Sequence, residues 1–183
     1  MGSSYVDNLV NKVIDASEAN TWDAAVLEWK IIDCFEDSSC NSCCICGKEH
    51  IKYLYTIANC RTNKRLVPIG SSCIRKFGRE DMDDQTSIME QVFRLFHAVE
   101  QNQYLTLSSE LFSRKLLLWL YQHRAFDTAY NHYNGSDDYE FMLKMYNKRD
   151  KESITPAQDR KIKAILLHSI KPYLQKILRN KIR

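Results

Sequence analysis

Residues 43–77 read CCICGKEHIKYLYTIANCRTNKRLVPIGSSCIRKF, and the fold turns on them. Ile51 to Ala58 alternates and is rich in β-branched and aromatic residues, and Arg65 to Ile69 has the same character. The link between them, NCRTNK, carries two Asn and one Thr, so the pair predicts an antiparallel hairpin. Pro68 lacks a backbone donor, which places the second strand on an edge or near its end. Gly70-Ser71-Ser72 then supplies a turn and a cap, and a short helix is expected from Cys73 to Phe77.

Cysteines sit at the ends of this hairpin. Cys43-x-x-Cys46-Gly47 has the form of a zinc knuckle: two thiolates reach one ion from a tight turn, and the Gly lets the backbone double back. Cys44-x-Cys46 is a second possible pairing, and His50 follows four residues beyond Cys46. With 51–58 paired to 65–69, residue 50 and residues 70–73 emerge at one end. Cys60 lies near the other, about 25 Å away at about 3.3 Å per residue, and drops out as a ligand. Cys73 opens a helix, where the dipole favours a thiolate. Tetrahedral zinc wants four ligands. The expected set is Cys46 and Cys73, then Cys43 and Cys44, with His50 as the replacement for one of them. Such a set leaves no open position, so the zinc is expected to be structural. A redox reading of Cys-x-x-Cys would want a βαβ setting, which is missing here.

Working outward, Tyr5, Val6, Leu9, Val10, Val13 and Ile14 recur at helical spacing, which predicts a helix over 5–18. Thr21 caps a short helix to Leu27, and WKIIDCF (29–35) reads as a strand. The acidic run REDMDDQ (79–85) reads as a boundary. Beyond it helices are expected from Thr86 or Ser87, from Ser108, around Tyr139–Tyr146 and from Thr155. At the last, Thr155, Pro156 and Gln158 form a capping signal. The expected architecture is therefore α+β: an N-terminal helix and strand with a zinc-pinned β-hairpin module over 1–79, then a helical bundle over 84–183 that ends in a basic helix.

At 183 residues, 44% hydrophobic and 27% charged, the composition is that of a folded chain. Seven cysteines, an odd number and mostly clustered, argue against a disulfide scaffold. With no long apolar run and no secretory signal, a cytoplasmic protein free of membranes is expected. The net charge of +3 is unevenly spread. Residues 40–79 hold eight basic and one acidic side chain, and residues 151–183 hold nine and two. Arg61, Lys64 and Arg65 gather at the hairpin tip, with Tyr53 and Tyr55 on the strand before it. Charges for phosphate and rings for stacking point to nucleic acid, RNA before DNA. The competing reading is a solvated turn with core tyrosines. His123 and His132, with Asp137, Asp138 or Glu140, are the residues on which an RNA-cleaving activity would rest. His97 sits among apolar neighbours and reads as a core histidine.

The run CICGKEHIKYLYTI, the polar turn and PIGSSCIRKFGR together resemble a short zinc-finger-like module of small proteins from Gram-positive bacteria and their phages. The resemblance spans about 35 residues. It carries Cys44, Cys46 and Cys73 over as ligands, Cys43 and His50 less clearly, and implies no activity. In style, though not in motif, the chain is similar to phage-encoded anti-CRISPR proteins acting on Cas9 or its guide RNA. The expectation is a zinc-stabilised accessory protein that binds nucleic acid or a nucleoprotein such as Cas9–guide RNA. Two other classes stay open, an RNA nuclease and a non-catalytic protein-interaction adaptor.

Overall fold

A computed structural model of the chain describes residues 4–101 and 107–183, in a mixed helix and sheet fold. The chain divides into two compact units, one reaching to Met89 and including Asn180–Arg183, the other Glu90–Arg179.

In the first unit, α1 (Ser4–Ala16) turns Leu9, Val13 and Ala16 inward, positions four and three apart on one helical face. A single turn, α2 (Trp22–Ala25), runs through a 3₁₀ turn into β1 (Trp29–Glu36). β2 (Tyr53–Asn59) and β3 (Arg65–Ile69) complete a three-stranded antiparallel sheet of order β1-β2-β3. Trp29 pairs with Asn59 and Glu36 with Tyr53, with a bulge between Ile31 and Asp33. Pro68 lies in the edge strand, where its missing N–H costs no ladder bond. Tyr55 and Ile57, two apart on β2 and so on one sheet face, are both fully buried, and Trp29, Ile31, Ile69, Ile74 and Phe77 are buried in the same unit.

The far end of the chain returns to this unit. Ile182 bridges Glu36 in parallel: the Glu36 N–H donates to Lys181 O (2.8 Å), and the Arg183 N–H to Glu36 O (2.9 Å). Lys181 also pairs with Asp33. Residues 180–183 thus belong with the first unit, where they answer a strand edge that no local pattern announces.

The acidic run opens a helix. A short helix, α3 (Ser71–Ile74), and a 3₁₀ turn end at Gly78 with φ +63°, and α4 (Glu80–Glu100) starts there rather than at Thr86 or Ser87. Glu80, Asp81 and Asp83 occupy its first turn, where the helix dipole welcomes negative charge. Thr86 lies inside the helix, fully buried, with Oγ1 donating to Met82 O at 2.8 Å.

In the second unit, α5 (Arg114–Gln122) begins after Ser113, whose Oγ accepts from the Leu116 N–H; the cap is Ser113, not Ser108. Next come α6 (Ser136–Asn147) and α7 (Pro156–Ile165), the latter closed by the Thr155–Gln158 capping box. A π-helical segment, Leu166–Ile170, leads into α8 (Lys171–Leu178), with Pro172 in its first turn. Phe93, Phe112, Leu116, Phe126, Met142 and Leu174 are buried in this unit.

Candidate metal centre

Three sulfurs converge in the first unit. Cys73 Sγ lies 3.4 Å from Cys46 Sγ and 3.7 Å from Cys44 Sγ, and all three fall within 4.8 Å of one another. The residues are 3%, 1% and 5% exposed for Cys44, Cys46 and Cys73, so the cluster is shielded from solvent. Two come from a tight turn and one from the first turn of α3.

Backbone bonds hold the turn. The Cys44 N–H donates to Lys48 O and the Gly47 N–H to Cys44 O, both at 2.8 Å. Gly47 takes φ +97°, a conformation L side chains rarely adopt. The turn is tied to the sheet by the Ile45 N–H on Pro68 O (2.9 Å). It is tied to α1 by Asn8 Nδ2 on Cys46 O (3.2 Å) and Lys12 Nζ on Ile45 O (2.6 Å). Gly70 passes so close to Ile51 that a Cβ there would sit 3.2 Å from its Cγ2. This approach lets the Gly70 N–H donate to Cys44 Sγ at 3.4 Å.

The sulfurs share their protons unequally. The Cys44 thiol is lowered to about 5, first by its hydrogen bond with Cys73 and then by the Cys46 and Gly70 N–H groups, against the opposing effect of burial. Cys73 is pushed up for the complementary reason, as the partner of Cys44 and by burial. Three cysteines so placed could hold a metal ion.

Cys43 and His50 do not join this set. The turn closes on Cys44, one residue later than a Cys43-x-x-Cys46 knuckle requires, so Cys43 is left exposed with Sγ beside Cys44 O. His50 is exposed at φ +58°, its Nδ1 3.1 Å from Cys40 O. Cys60 is exposed and outside the cluster.

Asp37 escaped the sequence reading. It is buried, and its carboxylate accepts from the Ser39, Asn41 and Ser42 N–H groups and from the Ser39 and Ser42 hydroxyls at 2.6–3.0 Å. The Ser39 and Ser42 hydrogen bonds hold it well below the usual carboxylate range. It shapes the loop that delivers Cys43 and Cys44. The signal was present in DSSCNS, an Asp followed by short polar residues able to close an Asx turn.

The hairpin tip is engaged with α1. Arg61 Nη1 lies 3.2 Å from Glu18 Oε2, Lys64 Nζ donates to Asp15 O (3.2 Å), and Thr62 Oγ1 to Ala16 O (2.8 Å). Arg65 is exposed. Tyr53 is half-buried beneath Lys52 Nζ, 5.5 Å from its ring centre. The stacking role expected of Tyr55 is corrected: its ring is 0% exposed and its hydroxyl donates to Thr86 O, because alternation along β2 turns it to the core.

Of the residues considered for cleavage, His123 stacks on Trp119 (4.1 Å between ring centres) with Nδ1 2.8 Å from Trp119 O. His132 is exposed at φ +54°. Asp138 accepts from Asn131 and pairs with Lys161; Asp137 and Glu140 are exposed on α6. His97 is half-buried, its ring edge-on to Phe96. No helix among the described residues is long and apolar enough to cross a membrane. Comparison of the chain with protein-family models, with curated proteins and with solved structures finds no match.

Proposed function

We propose that Cys44, Cys46 and Cys73 bind one structural zinc ion, and that the sheet so steadied faces nucleic acid. The observation that carries the metal is the spacing of the sulfurs. A zinc tetrahedron with Zn–S near 2.3 Å has edges of about 3.8 Å, and the cluster already holds its sulfurs 3.4 and 3.7 Å apart. Soft thiolates in a shielded pocket select zinc over hard cations. The fourth ligand is one of the two donors flanking the turn, Cys43 or His50, which stands outside the three-sulfur cluster and would have to turn in to meet the ion. The ion would tie α3 to the turn, and through it to α1 and the sheet. The resemblance to a phage zinc-finger-like module agrees with this ligand set.

The nucleic-acid reading rests on charge layout. Ala58 pairs with Lys30 on one side and Arg65 on the other, so two exposed cations flank a small residue in one row of the sheet. Phosphates meet such a row without displacing core side chains. The function is that of a non-catalytic accessory protein binding RNA or a nucleoprotein, and Cas9 with its guide RNA is the partner to test first. End-labelled guide RNA, alone and with Cas9, is run on native gels against the protein and its Lys30→Glu/Arg65→Glu variant. A shift that the variant loses supports the reading. No shift, with undisturbed Cas9 binding to its target, rejects it.

A further inference from the structure

The second unit carries an aromatic and charged pocket that the zinc centre does not involve. A cavity of about 340 Å³ is lined by Thr128, Tyr130, Asp138, Lys161, His168 and Ser169, over an apolar floor of Ala164 and Ile165. That volume lies in the range of small-molecule sites.

Tyr130 stands at its rim, 92% exposed, so packing does not account for the ring. Its backbone nevertheless lies in a segment held from many sides. Thr128 and Asn131 form a reciprocal capping box. Asn131 Nδ2 also donates to Phe126 O (2.8 Å) and Asp138 Oδ2 (3.2 Å), and the Gly135 N–H to Asp127 Oδ1 (3.0 Å). Gly135 packs so tightly that a Cβ would lie 2.5 Å from Phe126 Cβ. His132 and Tyr133 take φ +54° and +59°, and a Tyr in that region is uncommon. A loop fixed this firmly, displaying a bare aromatic ring, is the arrangement that binding loops adopt. His168, also in the lining, lies in the π-helical segment Leu166–Ile170, a distortion often found at functional sites.

We propose that this pocket binds a nucleoside phosphate, with the base against Tyr130 and the phosphate between Lys161 and His168. An exposed ring is complementary to a flat one. Lys161 Nζ supplies a positive charge, now shared with Asp138 at 3.2 Å and with the Phe141 ring at 4.6 Å. A phosphate would take part of that charge, and the Asp138 carboxylate is then an acceptor for a ribose hydroxyl. Thr128 and Ser169 add hydroxyls to a lining with one acid and one fixed cation. The ligand is either a free nucleotide or one nucleotide of a single strand.

The full chain is titrated with uridine and adenosine monophosphates and with ten-nucleotide oligo(U) and oligo(A) by calorimetry, beside its Tyr130→Ala, Lys161→Gln and Tyr133→Ala variants. Circular dichroism confirms that each variant is folded. Loss of one stacked base should weaken binding about tenfold in Tyr130→Ala. Lys161→Gln should weaken it as well, while Tyr133→Ala, outside the lining, leaves it unchanged. Mononucleotide binding as tight as the oligonucleotide identifies a free nucleotide as ligand; oligonucleotide binding at least tenfold tighter identifies a strand. Absence of saturable binding by all probes, or equal loss in Tyr130→Ala and Tyr133→Ala, overturns the proposal.

Discussion

The Thr62 hydroxyl donates a 2.8 Å hydrogen bond to the carbonyl of Ala16, so the tip of the β2–β3 hairpin closes the C-terminal end of α1. Lys64 joins it on Asp15 O, and Arg61 lies against Glu18 just beyond the helix. Cations belong at that end of a helix dipole. The tip that invited a nucleic-acid reading thus has a role within the unit.

Thr62→Val should destabilise the chain by about 1 kcal/mol, one hydrogen bond to a helix terminus. Arg61→Gln, which removes an exposed ion pair, should cost less than about 1 kcal/mol. Urea unfolding followed by circular dichroism measures both. A cost from Arg61→Gln larger than from Thr62→Val would mean that charge, rather than the cap, joins hairpin to helix.

Cys46→Ser and Cys73→Ser should abolish stoichiometric zinc in the purified protein, as read by elemental analysis. Stripping the ion with a chelator should lower stability by about 2.7 kcal/mol or more where metal had stood a hundredfold above its Kd. Cys60→Ser should leave both metal content and midpoint unchanged. Retained zinc in Cys73→Ser would move the centre away from the three-sulfur cluster.

Of Cys43→Ser and His50→Ala, one should weaken zinc affinity and the other should not, as measured by competition with a chromogenic chelator. Unchanged affinity in both would mean that neither residue fills the fourth position.

The Asp37 pKa is lowered in the folded state from an ordinary value of 3.8. A lowered folded pKa means that the unfolded chain binds the proton more readily. The stabilisation is therefore complete above about pH 4 and is lost as pH falls below it. Glu28 has the same sign, its carboxylate held low first by Asn59 Nδ2 and then by the Glu18 and Ala19 N–H groups. Asp37→Asn should lower stability on the neutral side, where this stabilisation is complete, and so flatten the fall of the profile toward acid. An unchanged acid side in thermal melts from pH 5 to 2.5 would remove Asp37 from that role.

The hairpin was legible because strand alternation and a polar link are local, and so was the Thr155–Pro156–Gln158 helix start. The run from Glu80 to Gln85 was not. Acidic residues read as a boundary ahead of the helix until they are seen to occupy the turn where a helix prefers them. At the metal centre, Cys43 and Cys44 both stand at workable spacings from Cys46. The choice between them is made by which residue closes the turn on Lys48, a matter of backbone register that spacing does not encode. Tyr55 was half-legible: alternation marked it as strand, but the inward parity depends on which face the helices cover.

The bridge between Glu36 and Ile182 makes the first unit discontinuous in the chain. A ribosome that has already released the whole sheet must still thread out Glu90–Arg179 before the last piece of that unit emerges. The sheet therefore waits, with β1 joined to β2 but not yet bridged to Ile182, through the birth of its neighbour. Glu90–Arg179 is thus complete in sequence before the unit that precedes it.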